Sequence, residues 1–534
     1  MAETEQIDGI FTAWDKPDAP GCALALVQDG QIIYQRGYGQ ANLEYDIPIT
    51  PDTVFHVASV SKQFTAYAIL LLAQDGKLGL DDDVHTHVPE LADFGATITV
   101  RHLIHHTSGL RDQWELLRFA GWRMDDVITT ADILRLVWQQ RELNFPPGAE
   151  YAYSNTGYTL MALIVERVAG TPFREFCAER IFKPLEMQHT HFHDDHTEIV
   201  KQRAYSYAPD AARGFKHSVL SYATAGATSL FTTVGDLARW SRFIDDSIAA
   251  GTAMSTTMLT RGVLNDGEVL PYAAGLTVGD YLGLRVVEHS GGDAGFRSQF
   301  TCFPDQHAAV VILGNLATMA PSELVRRVAD VHLAGQFTQE PKTDAPSEDA
   351  AVELSEEQLA SLAGVYLQAG SLTTHRLEVR DGTLMLAEGP GYALRAVAPD
   401  RFVVVALPFI TFAFEREEDG SLRLRETAGN GKPAVYQAVD VVTPHGDELA
   451  AYVGTYDSTE LGVPYVVAIE NDQLVVQPRR HATIPLVPLF ADGFTSGGED
   501  SGWFTLRFDR DANGAIDGFT VSNGRIRNLR SVRR

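Results

Sequence analysis

Ser59-Val60-Ser61-Lys62-Gln63-Phe64-Thr65-Ala66-Tyr67-Ala68-Ile69-Leu70-Leu71-Leu72 is the stretch from which the rest of this chain is read. From Phe64 to Leu72 it is apolar almost all round, and no Gly or Pro interrupts it before Gly76. That predicts a buried helix starting near Ser59. Ser59 and Lys62 then share one helix face. The partial positive charge of a helix N-terminus favours an alkoxide forming on Ser59. A neighbouring ammonium acts in the same sense, and a lysine whose pKa is lowered there becomes a proton acceptor. Taken alone, the tetrapeptide also reads as a helix cap followed by a solvated lysine.

The chain has 534 residues, too many for one core, so about two to four domains are expected. A net charge of -27 argues against nucleic acid or an anionic membrane as partner. No run approaches the length of a membrane span. The stretch Met1-Ala2-Glu3-Thr4-Glu5 is acidic and lacks an apolar signal region. Cys22, Cys177 and Cys302 are scattered, in no metal-ligand spacing, and read as reduced buried thiols. The expected location is cytoplasmic.

Around the Ser59 helix the pattern is mixed. Cys22 to Tyr38 alternates about Asp29-Gly30 and predicts a hairpin. Val100 to Leu110 predicts a short helix with a Gly stop, and Arg111-Asp112-Gln113-Trp114 after it offers polar and aromatic tips of the kind that rim a pocket, with a surface loop as the default reading. Ser108 lacks the flanking glycines of a nucleophile elbow and has no lysine three residues on. Pro146-Pro147-Gly148 introduces Tyr151-Ala152-Tyr153-Ser154-Asn155, with a helix from Tyr158 to Val168. A tyrosine hydroxyl beside an ammonium can shuttle a proton to a leaving group. An asparagine two residues on can orient the lysine and hydrogen-bond a substrate amide. Thr232-Thr233-Val234-Gly235-Asp236 reads as a capped helix start. Val286-Val287-Glu288-His289-Ser290-Gly291-Gly292 ends a strand, and Ser298 to Asn315 predicts the next hairpin. The Gly291-Gly292 pair lets a substrate lie against the strand edge, and the Gly292 N–H can point at an oxyanion. His289 offers a positive or hydrogen-bonding group at that edge. His189, His191 and His193 alternate on an extended segment, but a solvated polar loop explains them, and neither a metal nor a cofactor is expected.

Ser59-x-x-Lys62, Tyr153-x-Asn155 and His289-x-Gly291, in this order and at these separations, resemble the three motifs of the serine β-lactamase and penicillin-recognising superfamily. The context from Gln63 to Thr65, His106 to Leu110 and Asp236 to Trp240 looks like that family too, and the resemblance runs from Ile10 to about Gly335. It implies that Ser59 is the acylated nucleophile and that Lys62 and Tyr153 share the base and acid work, either one leading. It implies that Asn155 positions Lys62 and substrate, that His289 stands where most β-lactamases carry Lys, and that Ser59 and Gly292 N–H groups form an oxyanion hole. The implied fold is an antiparallel sheet flanked by helices, with an all-helical lobe.

Residues 336–353, rich in Pro and acidic side chains, read as a linker. Beyond it the sequence repeats at an offset of about 90 residues. Gly364-Val365-Tyr366 recurs as Gly454-Thr455-Tyr456, and Phe414 to Gly420 as Phe508 to Gly514. Turn signals about every ten residues predict two related antiparallel barrels or sandwiches, 354–442 and 443–534, after a catalytic domain at 1–335. The fold class is therefore multidomain α+β, a β-lactamase/transpeptidase-like domain followed by two lipocalin-like β-barrels. This architecture looks like the bacterial D-aminopeptidases. In that family a loop of the last barrel reaches the cleft, and an acidic residue there holds the substrate's free amine. The counterpart here, Gln477-Pro478-Arg479-Arg480-His481-Ala482-Thr483, is basic. Such a loop repels an amine and favours a carboxylate or neutral acyl group. Asp492 and Asp500 are the acidic substitutes within the same barrel.

The resemblance implies a serine hydrolase releasing N-terminal D-amino acids from short peptides, amides or esters. The alternatives are a carboxylesterase, a D,D-carboxypeptidase or weak β-lactamase on the same site, and a silent protein that binds peptidoglycan fragments or β-lactams. The substrate-binding set is Asn155, His289, Gly291, Gly292, Arg479, Arg480 and His481. The expected partners are a small-molecule or short-peptide substrate and, as one option, a second copy of the chain in a homodimer.

Overall fold

Asp29 and Gly30 both take positive φ, 51° and 70°, the requirement of a tight hairpin turn whose twist matches its strands. They join strands Cys22–Gln28 and Gln31–Tyr38, as the alternation predicts. Cys22–Gln28 also pairs, antiparallel, with Ala308–Gly314, which closes a six-stranded sheet in the order Thr277–Tyr281, Leu284–Asp293, Phe296–Phe303, Ala308–Gly314, Cys22–Gln28, Gln31–Tyr38. Leu24, Leu26, Val310 and Ile312 pack with Ile7 and Phe11 of helix Glu3–Phe11 and with Val325 and Val328 of helix Pro321–His332. The intervening Ala23, Ala25 and Val27 are buried as well. Their small size suits the approach of helix Val234–Ala249, which packs on the same two central strands.

The computed structural model describes residues 3–339, 352–368, 370–387, 391–405, 407–428, 432–496 and 504–534. These fall into two compact units. The first runs to Trp114 and from Met124 to 339; the second takes Glu115–Arg123 and everything described from 352 on. Most of the expected 336–353 linker, and Asp500, lie outside the described residues. No helix among the described residues is long and apolar enough to cross a membrane.

In the first unit, helix Lys62–Gln74 is buried at every position from Lys62 to Leu72, as its all-round apolar pattern predicts. It packs against helix Asn155–Ala169, which ends at Gly170 in the left-handed conformation. A small antiparallel sheet places Leu230–Thr232 between Phe55–His56 and His191–Phe192. Its Phe55–His56 strand leads directly into the Ser59 turn.

The second unit holds two closed eight-stranded antiparallel barrels, from Gly364–Gln368 to Ala434–Val439 and from Gly454–Ser458 to Leu529–Arg533. The repeat read from the sequence has a physical basis in them. Tyr366 and Tyr456 are both buried, and each hydroxyl donates to a carbonyl four residues back, Leu362 O and Tyr452 O, at 2.7 Å. Arg416 and Arg510 each donate to a carbonyl four residues on, Gly420 O at 2.8 Å and Gly514 O at 2.7 Å. Val365 and Leu372 of the first barrel pack with Leu489 and Phe490 of the second.

Candidate active site

The predicted helix does not begin at Ser59 itself. Ala58–Ser61 form a 3-10 turn, with Ala58 at φ 47°, and the α-helix starts at Lys62. Tertiary bonds hold this turn, not a side-chain cap. Ser61 Oγ donates to Ala58 O at 2.5 Å and accepts from Leu230 N at 3.0 Å. Ser298 Oγ donates to Val57 O at 2.8 Å. A left-handed Ala at the residue before the serine is the type of backbone strain that clusters at functional sites.

Lys62 is fully buried. Its Nζ lies 3.0 Å from Ser59 Oγ, 2.7 Å from Asn155 Oδ1 and 2.7 Å from Ala227 O. It also lies 4.8 Å from the centre of the Tyr153 ring, within cation–π range. Ser59 and Tyr153 are half-buried, open enough to meet a ligand. Ser59, Lys62, Tyr153 and Asn155, spread over almost a hundred positions, thus meet around one amino group.

Asn155 is held by a residue the sequence reading placed elsewhere. Asp112 Oδ2 accepts from Asn155 N and from Asn155 Nδ2, both at 2.7 Å, which turns Oδ1 towards Lys62. Asp112 Oδ1 accepts from Trp114 N at 3.0 Å. The surface loop expected at Arg111-Asp112-Gln113-Trp114 is therefore corrected: all four are buried. A carboxylate tolerates burial when N–H donors surround it. Ser108 is buried and accepts from Leu110 N at 3.3 Å, a turn contact. His106, at φ 58°, accepts from Ser154 N at 3.1 Å through Nδ1 and packs 4.2 Å, ring to ring, from Tyr153.

Strand Leu284–Asp293 runs past the nucleophile turn. A Cβ on Gly291 would meet Val57 O at 2.2 Å and Ser59 N at 3.1 Å, so only glycine allows this approach. Gly292 is exposed beside it. Asp293 accepts from Thr228 Oγ1 and lies 3.0 Å from His56 Nε2, which ties the strand end to the sheet beneath Ser59.

His289 is buried and uses both ring nitrogens. Nδ1 donates to Ser290 O at 2.6 Å, which fixes the proton there, and Nε2 accepts from Tyr272 Oη at 2.9 Å. Burial, with the Lys62 charge adding to it, pushes its pKa down to about 3. Of the two roles expected for it, only the neutral hydrogen-bonding one has a physical basis here. Tyr272 is itself buried, and its hydroxyl is pushed well above the ordinary tyrosine value by desolvation.

Arg479, Arg480 and His481 belong to the second unit and are exposed. Their contacts there are to Glu115–Arg123. His481 Nε2 donates to Trp122 O at 3.1 Å, and the Arg480 guanidinium lies 5.7 Å from the Trp122 ring centre. A Cβ on Gly121 would meet Arg479 O at 2.4 Å. Asp492 is held by Arg510 at 2.6 and 2.8 Å and by Tyr452 Oη at 2.8 Å, inside its own barrel.

The run His189 to His196 is not uniformly solvated. His189 and His196 are exposed, but His191 is half-buried and His193 is only 3% exposed. Phe231 packs against both rings, 5.7 Å from His191 and 4.5 Å from His193, which explains the burial.

Asp112 and Tyr272 are the functional candidates that sequence reasoning missed. For Asp112 a signal existed, since it follows within two residues the His106 to Leu110 stretch that shares in the family resemblance. Tyr272 had none.

The family model described as Beta-lactamase matches residues 8–334. A D-aminopeptidase of Gluconobacter oxydans is 27% identical over 450 residues, 83% of this chain and 80% of that protein. Penicillin-binding protein 4* of Bacillus subtilis is 29% identical over 359 residues, 64% of this chain and 78% of that protein. Among solved structures, D-amino acid amidase from Ochrobactrum anthropi SV3, complexed with D-phenylalanine, aligns at TM-score 0.55 and 23% identity over 63% of this chain and 100% of its own. An octameric penicillin-binding protein homologue from Pyrococcus abyssi aligns at TM-score 0.56 and 20% identity over 100% of both chains. At these identities the two structures speak to the fold.

Proposed function

The chain belongs to the Beta-lactamase family, a family of hydrolases, and on that premise we propose that it cleaves acyl groups through an ester on Ser59, acting as an aminopeptidase that releases N-terminal D-amino acids. One observation carries the reading: the buried Lys62 Nζ held between Ser59 Oγ, Asn155 Oδ1 and Ala227 O. As an amine, Lys62 donates two protons to Asn155 Oδ1 and Ala227 O and accepts one from Ser59. Ser59 Oγ then adds to the substrate carbonyl. The oxyanion is stabilised by the N–H groups of Ser59 and Gly292. Collapse breaks the C–N or C–O bond, and the leaving group takes the proton from Lys62 or Tyr153. Water then adds to the ester, giving its proton back through the same groups, and frees the acid and Ser59.

The choice of substrate rests on two supports. The resemblance to a D-aminopeptidase extends over 83% of the chain. His289, neutral and bonded on both sides, gives the third motif no fixed cation for a substrate carboxylate, which disfavours β-lactams and C-terminal peptide carboxylates. The basic sequence Arg479-Arg480-His481, where the resemblance leads one to expect an acidic residue, favours a second reading, an esterase or amidase taking a neutral acyl group or a carboxylate. Paired D- and L-alanine p-nitroanilides, N-acetyl-D-alanine p-nitroanilide and p-nitrophenyl acetate separate the two. Turnover of the free-amine D compound alone, lost by about 10⁴-fold or more in Ser59→Ala, is expected. Cleavage of the acetylated compound or the ester with none of the free amine would establish the second reading.

A further inference from the structure

The unit that carries Ser59 holds a second polar cluster, distant in sequence from the three motifs. His191, His193 and Glu198 each present one ligand atom, and the three atoms lie within 4.8 Å of one another. His193 Nδ1 is 3.7 Å from Glu198 Oε2, too far for a hydrogen bond. Among the described residues, His191 Nε2 and both ring nitrogens of His193 are buried with no hydrogen-bond partner. A buried imidazole with neither nitrogen bonded is costly, and native structures rarely leave one so. Burial lowers the pKa of both rings, and the guanidiniums of Arg174 and Arg203 add to the effect. Neutral rings are the form in which imidazole offers a lone pair.

We propose that His191, His193 and Glu198 bind a divalent transition-metal ion of the zinc class. Two imidazole nitrogens and one carboxylate oxygen form a donor set for zinc, whereas calcium and magnesium call for oxygen. Ligand atoms around zinc stand about 3.4 Å apart, so atoms that now lie within 4.8 Å of one another need to close by at most about 1.4 Å, within the reach of side-chain rotation. Arg174 donates to Glu198 at 2.6 and 2.8 Å. This does not consume the carboxylate, which has about four lone-pair sites, and ligating carboxylates are commonly held by just such an outer partner. Arg203 is the opposing element. Its guanidinium lies 4.9 Å from the Phe231 ring centre, and its buried Nε has no partner among the described residues. Its charge weakens the site without removing a ligand. The cluster sits on the sheet that joins His191–Phe192 through Leu230–Thr232 to Phe55–His56, so an ion there would brace the strand leading into the Ser59 turn.

The test is calorimetric titration of Zn²⁺, and separately of Mg²⁺, into the full chain after chelation and desalting, with thermal unfolding as a second readout. One saturable Zn²⁺ site, no Mg²⁺ site and a rise in midpoint with zinc are expected. His193→Phe keeps the ring volume, and Glu198→Gln keeps a partner for Arg174. Each should weaken zinc by more than the ~10–100-fold that losing an outer partner costs, and Arg203→Met should tighten it severalfold. Absence of saturable binding, or equal affinity in wild type, His193→Phe and Glu198→Gln, would overturn the proposal. Circular dichroism of each variant separates loss of the site from loss of the fold.

Discussion

His289 and His193 are both buried imidazoles of the first unit, with pKa values pushed down to about 3 and about 4 by desolvation. They differ in what surrounds the ring. His289 donates to Ser290 O and accepts from Tyr272, while neither nitrogen of His193 has a partner among the described residues. The first is closed, each nitrogen answered by a partner, and it stands near enough to Lys62 to feel its charge. The second is open. A closed polar network fixes geometry, whereas an open one stores a cost that a ligand can relieve.

Within this comparison the largest expected effect comes from breaking the bonded, closed cluster around Lys62. Asp112→Asn replaces an oxygen that accepts from both Asn155 N and Nδ2 with an amide that must turn one N–H towards a donor or leave it unmet. Asn155 Oδ1 then loses its aim at Lys62. A kcat lower by about 10²-fold with a smaller change in KM is expected, measured on whichever chromogenic substrate the wild type turns over. An unchanged kcat would show that Lys62 holds Asn155, not the reverse.

Tyr272→Phe makes His289 resemble His193, with Nε2 buried and unbonded. Chemical denaturation should show a loss of about 1–3 kcal/mol. If stability is unchanged, a bound water replaces the hydroxyl, and the contrast between the two histidines weakens.

The pH dependence follows from the sign of the shifts. His289 and His105 fold with pKa values of about 3 and about 4, below the ordinary 6.5, because burial disfavours the cation. The unfolded chain takes up their protons first, so the stability they confer is complete above about pH 6.5 and falls as pH drops towards the folded values. Each contributes a slope of about 1 kcal/mol per pH unit in that window. Unfolding midpoints at pH 7, 6 and 5 measure this loss, and a Tyr272→Phe background tells the His289 share from the rest.

That Ser59, Lys62, Tyr153 and Asn155 would gather was legible because two short motifs carry them, each with reactive residue types at fixed spacing. The barrels were legible because Tyr366 and Tyr456, and Arg416 and Arg510, make the same local bonds at matching positions. Burial of polar residues was not legible. Arg111, Asp112 and His193 look solvated from composition, and only the partners that tertiary folding brings, Asn155 and Phe231 among them, decide otherwise. The 3-10 turn at Ser59 was missed for the same reason. A helical propensity that begins at Lys62 says nothing of the bonds from Leu230, Ser61 and Ser298 that hold Ala58 at positive φ.

The smallest effect has the opposite sign from the others and tests the contrast most directly. His193→Phe removes two buried nitrogens that have no partner among the described residues and sets an apolar ring of similar shape against Phe231. Replacing an unsatisfied polar group by an apolar isostere is neutral to stabilising. In metal-free protein the variant should therefore unfold at equal or higher denaturant, by up to about 1 kcal/mol, while His289→Phe at the closed network should lose stability and activity together. With zinc present the order should reverse, because only the wild type gains from the ion. If His193→Phe is destabilised in metal-free protein to the same degree as His289→Phe, the imidazole at 193 is already bonded in solution, and the two regions are alike.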